Sequence, residues 1–147
     1  MSRSFIEENA QQREKLRTLL NRLSDRELVH PLYADWTVAG ILGHLAFWDY
    51  RALVLIKKWK QMGVKEPSAM DVHAINDAMR PLLLAIPPRK AAEIVLEAAA
   101  AIDKEIEGLS PALIAQIETL GSSFRLNRGT HRLEHIDQIE AALSLKK

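Results

Sequence analysis

Cysteine is absent from this sequence. That absence excludes a disulfide framework, a thiolate zinc site and a cysteine nucleophile, though it does not fix the compartment. Glycine and proline are scarce, six of each in 147 residues, which favours helix over strand. An excess of either charge is also lacking. The 20 Lys and Arg stand against 19 Asp and Glu, a net charge of +1 with no basic block, so nothing points to nucleic-acid binding by phosphate neutralisation. No apolar run approaches the ~20 residues that span a bilayer. The N-terminal MSRSFIEENAQQREKL lacks the apolar stretch of a signal peptide. The expectation is a soluble, cytoplasmic protein without membrane or nucleic-acid partners.

Aliphatic side chains are plentiful. Hydrophobic residues make up 48% of the chain, mostly alanine and leucine, enough for one domain over residues 1–147 with a sizeable core. Ser4 and Glu7 read as a capping box, and Phe5, Asn9, Gln12, Leu16, Leu19, Leu20 and Leu23 follow at helical spacing. Ser24 and Glu27 repeat the capping pattern ahead of Pro31. Thr37 reads as the N-cap of a helix to about Gln61, with an apolar stripe of Val38, Ile41, Leu42, Leu45, Trp48, Ala52, Ile56 and Trp59. A third helix is expected from Asp71 to about Ala85, broken or kinked at Pro81. A long helix follows, from Pro87 and Pro88 to near Gly108, then a short helical segment around Pro111 to Ile117 and a last helix from Gly129 or Thr130 to Ser144. No strand pattern, repeat or linker is visible. The pattern predicts an all-α, up-and-down four-helix bundle with short extra helices.

Three histidines carry the most chemistry: His44 in GILGHLAFWD, and His131 and His135 in GTHRLEHIDQIE. The last two, at i and i+4, lie about 40° apart around a helix and share a face with Ile139 and Ala142, which makes that face core-directed. Buried imidazoles need a partner. Backbone carbonyls or carboxylates are one answer; a metal with His44 as third ligand is the other. His30 and His73 read as surface or cap residues. Trp36, Trp48 and Trp59 read as core anchors, with Trp48, one turn after His44, placed to wall a pocket. Glu134 and Asp137 lie off the histidine face and read as solvated charges or as partners orienting a histidine N–H; Asp49 has the same two readings. Arg80 and Arg128 read as exposed, or as holding an anionic substrate group if they face the pocket. No Ser/His/Asp triad, glycine-rich phosphate loop or His-Glu-x-x-His motif is present.

Asp35-Trp36-Thr37-Val38 running through Gly40-Ile41-Leu42-Gly43-His44-Leu45 resembles the opening of the second helix in DinB/YfiT-like proteins. His131-Arg132-Leu133-Glu134-His135-Ile136 resembles their closing His-x-x-x-His helix, and Ile75-Asn76 and the order of helices also fit. The resemblance covers nearly the whole chain and is nearest the subgroup related to ClbS/DfsB and the thiol-dependent maleylpyruvate isomerases. Gly40 departs from the pattern, where an acidic or polar first-turn residue would complete the cap. The resemblance implies a four-helix bundle, a divalent metal held by His44, His131 and His135, and a homodimer. Three neutral imidazoles suit zinc or nickel, with iron or copper as further options.

Two functions follow. One is a metal-dependent enzyme acting on a small molecule, which activates water for hydrolysis or a low-molecular-weight thiol cosubstrate for transfer or isomerisation. With no cysteine in the chain, the thiol must come from the cosubstrate, and the lack of an obvious inward carboxylate base leans towards it. The other is a protein that sequesters a metal or reactive compound without turnover. A plain helical dimerisation protein is the third reading. The pocket is expected at one end of the bundle.

Overall fold

The computed structural model describes residues 4–144. Helix α1 (Ser4–Arg22) buries Phe5, Asn9, Gln12, Leu16, Leu19 and Leu20, the arc its spacing predicts. Ser4 is itself helical, so it is not the cap. The Ser24–Glu27 box does form around α2 (Asp25–Leu28): the Ser24 hydroxyl accepts from Glu27 N at 3.1 Å, and Glu27 Oε1 accepts from Ser24 N at 2.8 Å.

Thr37 caps α3 (Val38–Met62), its hydroxyl accepting from Gly40 N at 3.0 Å. The absent side chain at Gly40 has a packing reason. A Cβ there would stand 2.8 Å from Leu84 Cδ2 and 3.1 Å from Trp36, so glycine lets the end of α4 close onto α3. Helix α3 is long and apolar enough to cross a membrane by length and composition alone, and it is mostly buried within the bundle.

Asp71 caps α4 (Val72–Leu84), accepting from Ala74 N at 3.0 Å. The expected break at Pro81 does not occur. Pro81 falls in the closing turn, where the missing N–H forfeits one bond without ending the helix. The chain continues through α5 (Pro88–Glu107), α6 (Pro111–Glu118) and α7 (Gly129–Ala142). Among the described residues the only strand-like pairing is an isolated bridge between Pro31 and Thr37.

The bundle consists of α1, α3, α5 and α7: α3 packs on α5, α5 on α1, α1 on α7, and α7 more loosely back on α3, while α4 packs against α3. Two apolar clusters fill it. One joins Leu16, Leu19 and Leu20 to Ile41, Leu42, Val95 and Ile136; the other joins Phe5 to Ile56, Trp59, Ile102, Ile117 and Phe124. Their membership fixes direction: with α4 counted, α1, α3, α4, α5 and α7 alternate along the chain. Between the clusters lies a polar layer of Asn9, Asp49, Asp103 and Arg132, all nearly inaccessible to solvent. The three histidines border this layer, carried by α3 and α7.

Candidate metal centre

His44 enters the site from the second turn of α3, and His131 and His135 from the first two turns of α7. The start of α7 is fixed by α1. The Asn9 side-chain oxygen accepts from Arg128 N at 2.7 Å and Gly129 N at 2.9 Å, while its amide donates to Leu126 O at 3.0 Å. A residue on another helix thus satisfies backbone donors that a local cap would otherwise serve. Asn127 adds a local bond, accepting from Thr130 N at 3.0 Å. Helix α7 also needs Gly129, since a Cβ there would stand 2.8 Å from Glu8 O.

Beneath the histidines, Arg132 is 1% exposed. Its two terminal nitrogens donate to the two Asp103 oxygens at 2.9 Å each; Nη1 also donates to Asn9 O at 3.0 Å and Nη2 to Asp49 Oδ2 at 3.2 Å. Arg13 pairs with the same Asp103, and Arg128 Nε donates to Asp49 Oδ1 at 3.0 Å. Burial disfavours the Arg132 charge, but Asp49 and Asp103 outweigh it and hold its pKa above the ordinary value. This network ties all four bundle helices together directly under the site.

The three imidazoles converge through Nε2. His131 Nε2 is 3.3 Å from His44 Nε2 and 3.2 Å from His135 Nε2, and the three candidate ligand atoms lie within 4.8 Å of one another. Hydrogen bonding alone cannot satisfy this arrangement. His131 Nε2 carries either one hydrogen or one lone pair, so at most one of its two contacts is a proper hydrogen bond. The spacing suits a shared cation, since two nitrogens about 2.0–2.1 Å from a tetrahedral zinc lie about 3.3 Å apart. His135 Nδ1 sits 2.7 Å from Gln138 Oε1, which orients Nε2 towards the cluster as a lone-pair donor. Among the described residues buried His44 Nδ1 has no hydrogen-bond partner; Asn76, which accepts from Trp48 Nε1 at 3.1 Å, is the group favouring its protonation.

Burial, reinforced by the charge of His135, lowers the His44 pKa from 6.5 to about 4. Burial first, then the neighbouring histidines and arginines, lowers His131 further, and burial also lowers His135 against the Gln138 hydrogen bond. All three are therefore neutral at neutral pH, the form that ligates metal. Beside them opens a cavity of about 520 Å³, walled in part by Trp48, Asn76, Phe124 and Glu134.

The three expected ligand residues are thus brought together, while His30 and His73 are exposed and outside the cluster. Trp36 and Trp59 are core residues; Trp48 is half-buried on the cavity wall. Two expectations need correction. Ala142 is exposed, because the inward arc of α7 centres on Arg132, Ile136 and Ile139, and the histidine pair lies on its border. Arg80 lies over the Trp36 ring, 5.3 Å from its centroid, and pairs with Asp77, so it does not line the cavity, whereas Arg128 does. Glu134 lines the cavity, and the ring partner of His135 is Gln138. Arg132, Asp103, Gln138 and Arg51 escaped the sequence reading. Arg132 had a signal, standing four and seven residues before the apolar Ile136 and Ile139. Arg51 had another, standing seven residues after His44.

A sequence model of the DinB superfamily matches residues 8–139. No curated protein and no solved structure gives a match.

Proposed function

The chain belongs to the DinB superfamily, and on that premise we propose that His44, His131 and His135 hold a divalent transition metal in an enzyme acting on a small molecule. The observation that carries this reading is that His131 Nε2 stands 3.3 Å from His44 Nε2 and 3.2 Å from His135 Nε2 while it can form a proper hydrogen bond with at most one of them. The donor set suits zinc or nickel, and also iron. Such an ion supplies Lewis acidity, lowering the pKa of a water or thiol in an open position. The chain's own residues do the rest. Gln138 orients His135, the network under α7 holds His131 against His44, and the cavity admits the substrate.

Activation of a thiol cosubstrate for transfer or isomerisation needs no protein base once the thiol is ionised. Hydrolysis also needs a proton passed to the leaving group, and Glu134 at the cavity wall is a carboxylate free to carry it, whereas buried Asp49 is committed to Arg128 and Arg132. A homodimer belongs to the same proposal: Phe47, Tyr50 and Val54 leave an exposed apolar stripe on α3, and sedimentation across a concentration series tests whether a second copy covers it.

Metal analysis of untagged protein is the first test, with close to one equivalent per chain expected. His135→Ala and His44→Ala should each abolish stable loading, and less than a tenth of an equivalent after reconstitution would remove the metal reading. Loaded protein is then assayed with thiols plus electrophiles, and with esters and amides. Turnover on the second panel assigns hydrolysis, with its loss in Glu134→Gln assigning the proton transfer to Glu134, and turnover on the first that survives Glu134→Gln assigns thiol chemistry. Binding without turnover on both panels would favour sequestration.

A further inference from the structure

Along α3, His44, Trp48 and Arg51 stand at i, i+4 and i+7 and so form one stripe along the cavity wall. The Arg51 guanidinium carbon lies 5.6 Å from the Trp48 ring centroid. A cation–π contact of this kind sets the charge against the ring and uses none of the N–H donors in a hydrogen bond. Among the described residues, no carboxylate pairs with Arg51. Burial first, and then the charge of Arg128, lowers its pKa, the sign of a cation without compensation.

The surroundings add positive charge. Arg128 lines the cavity and donates to Asp49, but Asp49 also serves Arg132, and Arg132 shares Asp103 with Arg13. Three guanidinium groups therefore share two carboxylates. Arg125 also lines the cavity, and among the described residues Glu134 is the one carboxylate that does so. The three imidazoles contribute no charge near neutral pH, and a divalent ion on them would add to the excess.

We infer that the cavity carries an oxyanion subsite in which the Arg51 fork seats a carboxylate or phosphate group of the substrate or cosubstrate, beside the three histidines. Two parallel N–H···O bonds from a guanidinium suit either group. Tyr33, Met70, Val72 and Phe124 supply apolar wall for the organic body of the same molecule. The subsite rests on reading this cavity as the substrate site, but it does not need the metal to be present.

Calorimetry with 3-phenylpropionate, its neutral amide and phenyl phosphate tests this on zinc-loaded and on metal-free protein. At least one anion should bind about tenfold or more tightly than the amide, the scale of a charge-assisted bidentate contact. Arg51→Gln should remove most of that preference and Arg51→Lys should retain part of it, while affinity for the amide stays unchanged in both. The stronger of the two anions identifies the group as carboxylate or phosphate. The preference should persist without zinc, which separates it from coordination to the ion; it would stand even if the histidines bound no metal. Equal affinity for anion and amide, a preference untouched by Arg51→Gln, or no anion binding at millimolar concentration would overturn the inference.

Discussion

At the residue scale, Arg132 decides more than its position in a histidine motif suggests. Removing its side chain would leave Asp49 and Asp103 buried and short of a partner, and breaking a buried pair in this way costs about 3–5 kcal/mol. Arg132→Ala is expected to lose that much stability in urea unfolding, and a loss below about 1 kcal/mol would show the network to be dispensable. The histidines make a prediction in pH. In the unfolded chain each takes up a proton near its ordinary value of 6.5, whereas folded His44 resists protonation down to about 4. The unfolded state therefore binds more protons in that window, and stability falls as pH falls. Metal-free protein should keep its full unfolding midpoint above about pH 6.5 and lose it progressively towards pH 4; a midpoint unchanged between pH 7 and 5 would contradict the burial of this cluster.

At the scale of elements, helices α1 and α7 are fitted to each other at Gly129. A methyl group there would meet Glu8 O at 2.8 Å and Glu8 Cγ at 2.9 Å, and backbone cannot swing away as a flexible side chain can. Gly129→Ala should cost about 1–3 kcal/mol, as overpacking does. Because His131 stands two residues on, the same change should weaken metal affinity. Calorimetric titration checks this, and a variant with unchanged affinity would show that the α7 start does not set ligand geometry. The helices themselves were largely legible. The Ser24–Glu27 box, the Thr37 cap and the proline start of α5 act through neighbours in sequence, so their signals are local. The cap of α7 was not legible, because its oxygen comes from Asn9, some 120 residues away.

At the scale of the whole molecule, the candidate site bridges α3 and α7, the neighbouring pair that pack less closely than α3 with α5 or α1 with α7. A ligand that binds only the folded state stabilises it by about 2.7 kcal/mol at a hundredfold excess over Kd. In a domain of this size that corresponds to a rise of about 5–10 °C in Tm. Differential scanning calorimetry should show the rise with zinc and its reversal by chelator. No shift at saturating zinc would mean that the ion does not favour the assembled bundle.

Sequence alone determined the helical class, most helix boundaries and the identity of His44, His131 and His135 as the residues to watch, because helical periodicity and capping depend on residues three or four apart. Tertiary structure decided that three imidazoles from two helices converge, that Arg132 rather than Ala142 faces the core, and that Arg51 lines the cavity with no carboxylate partner among the described residues. Each of these depends on which helix lies opposite, and on how burial and neighbouring charge act across that gap. Spacing along the chain made the histidines candidates, and the packing of α7 against α1 and α3 brought His131 Nε2 to within 3.3 Å of the other two Nε2 atoms.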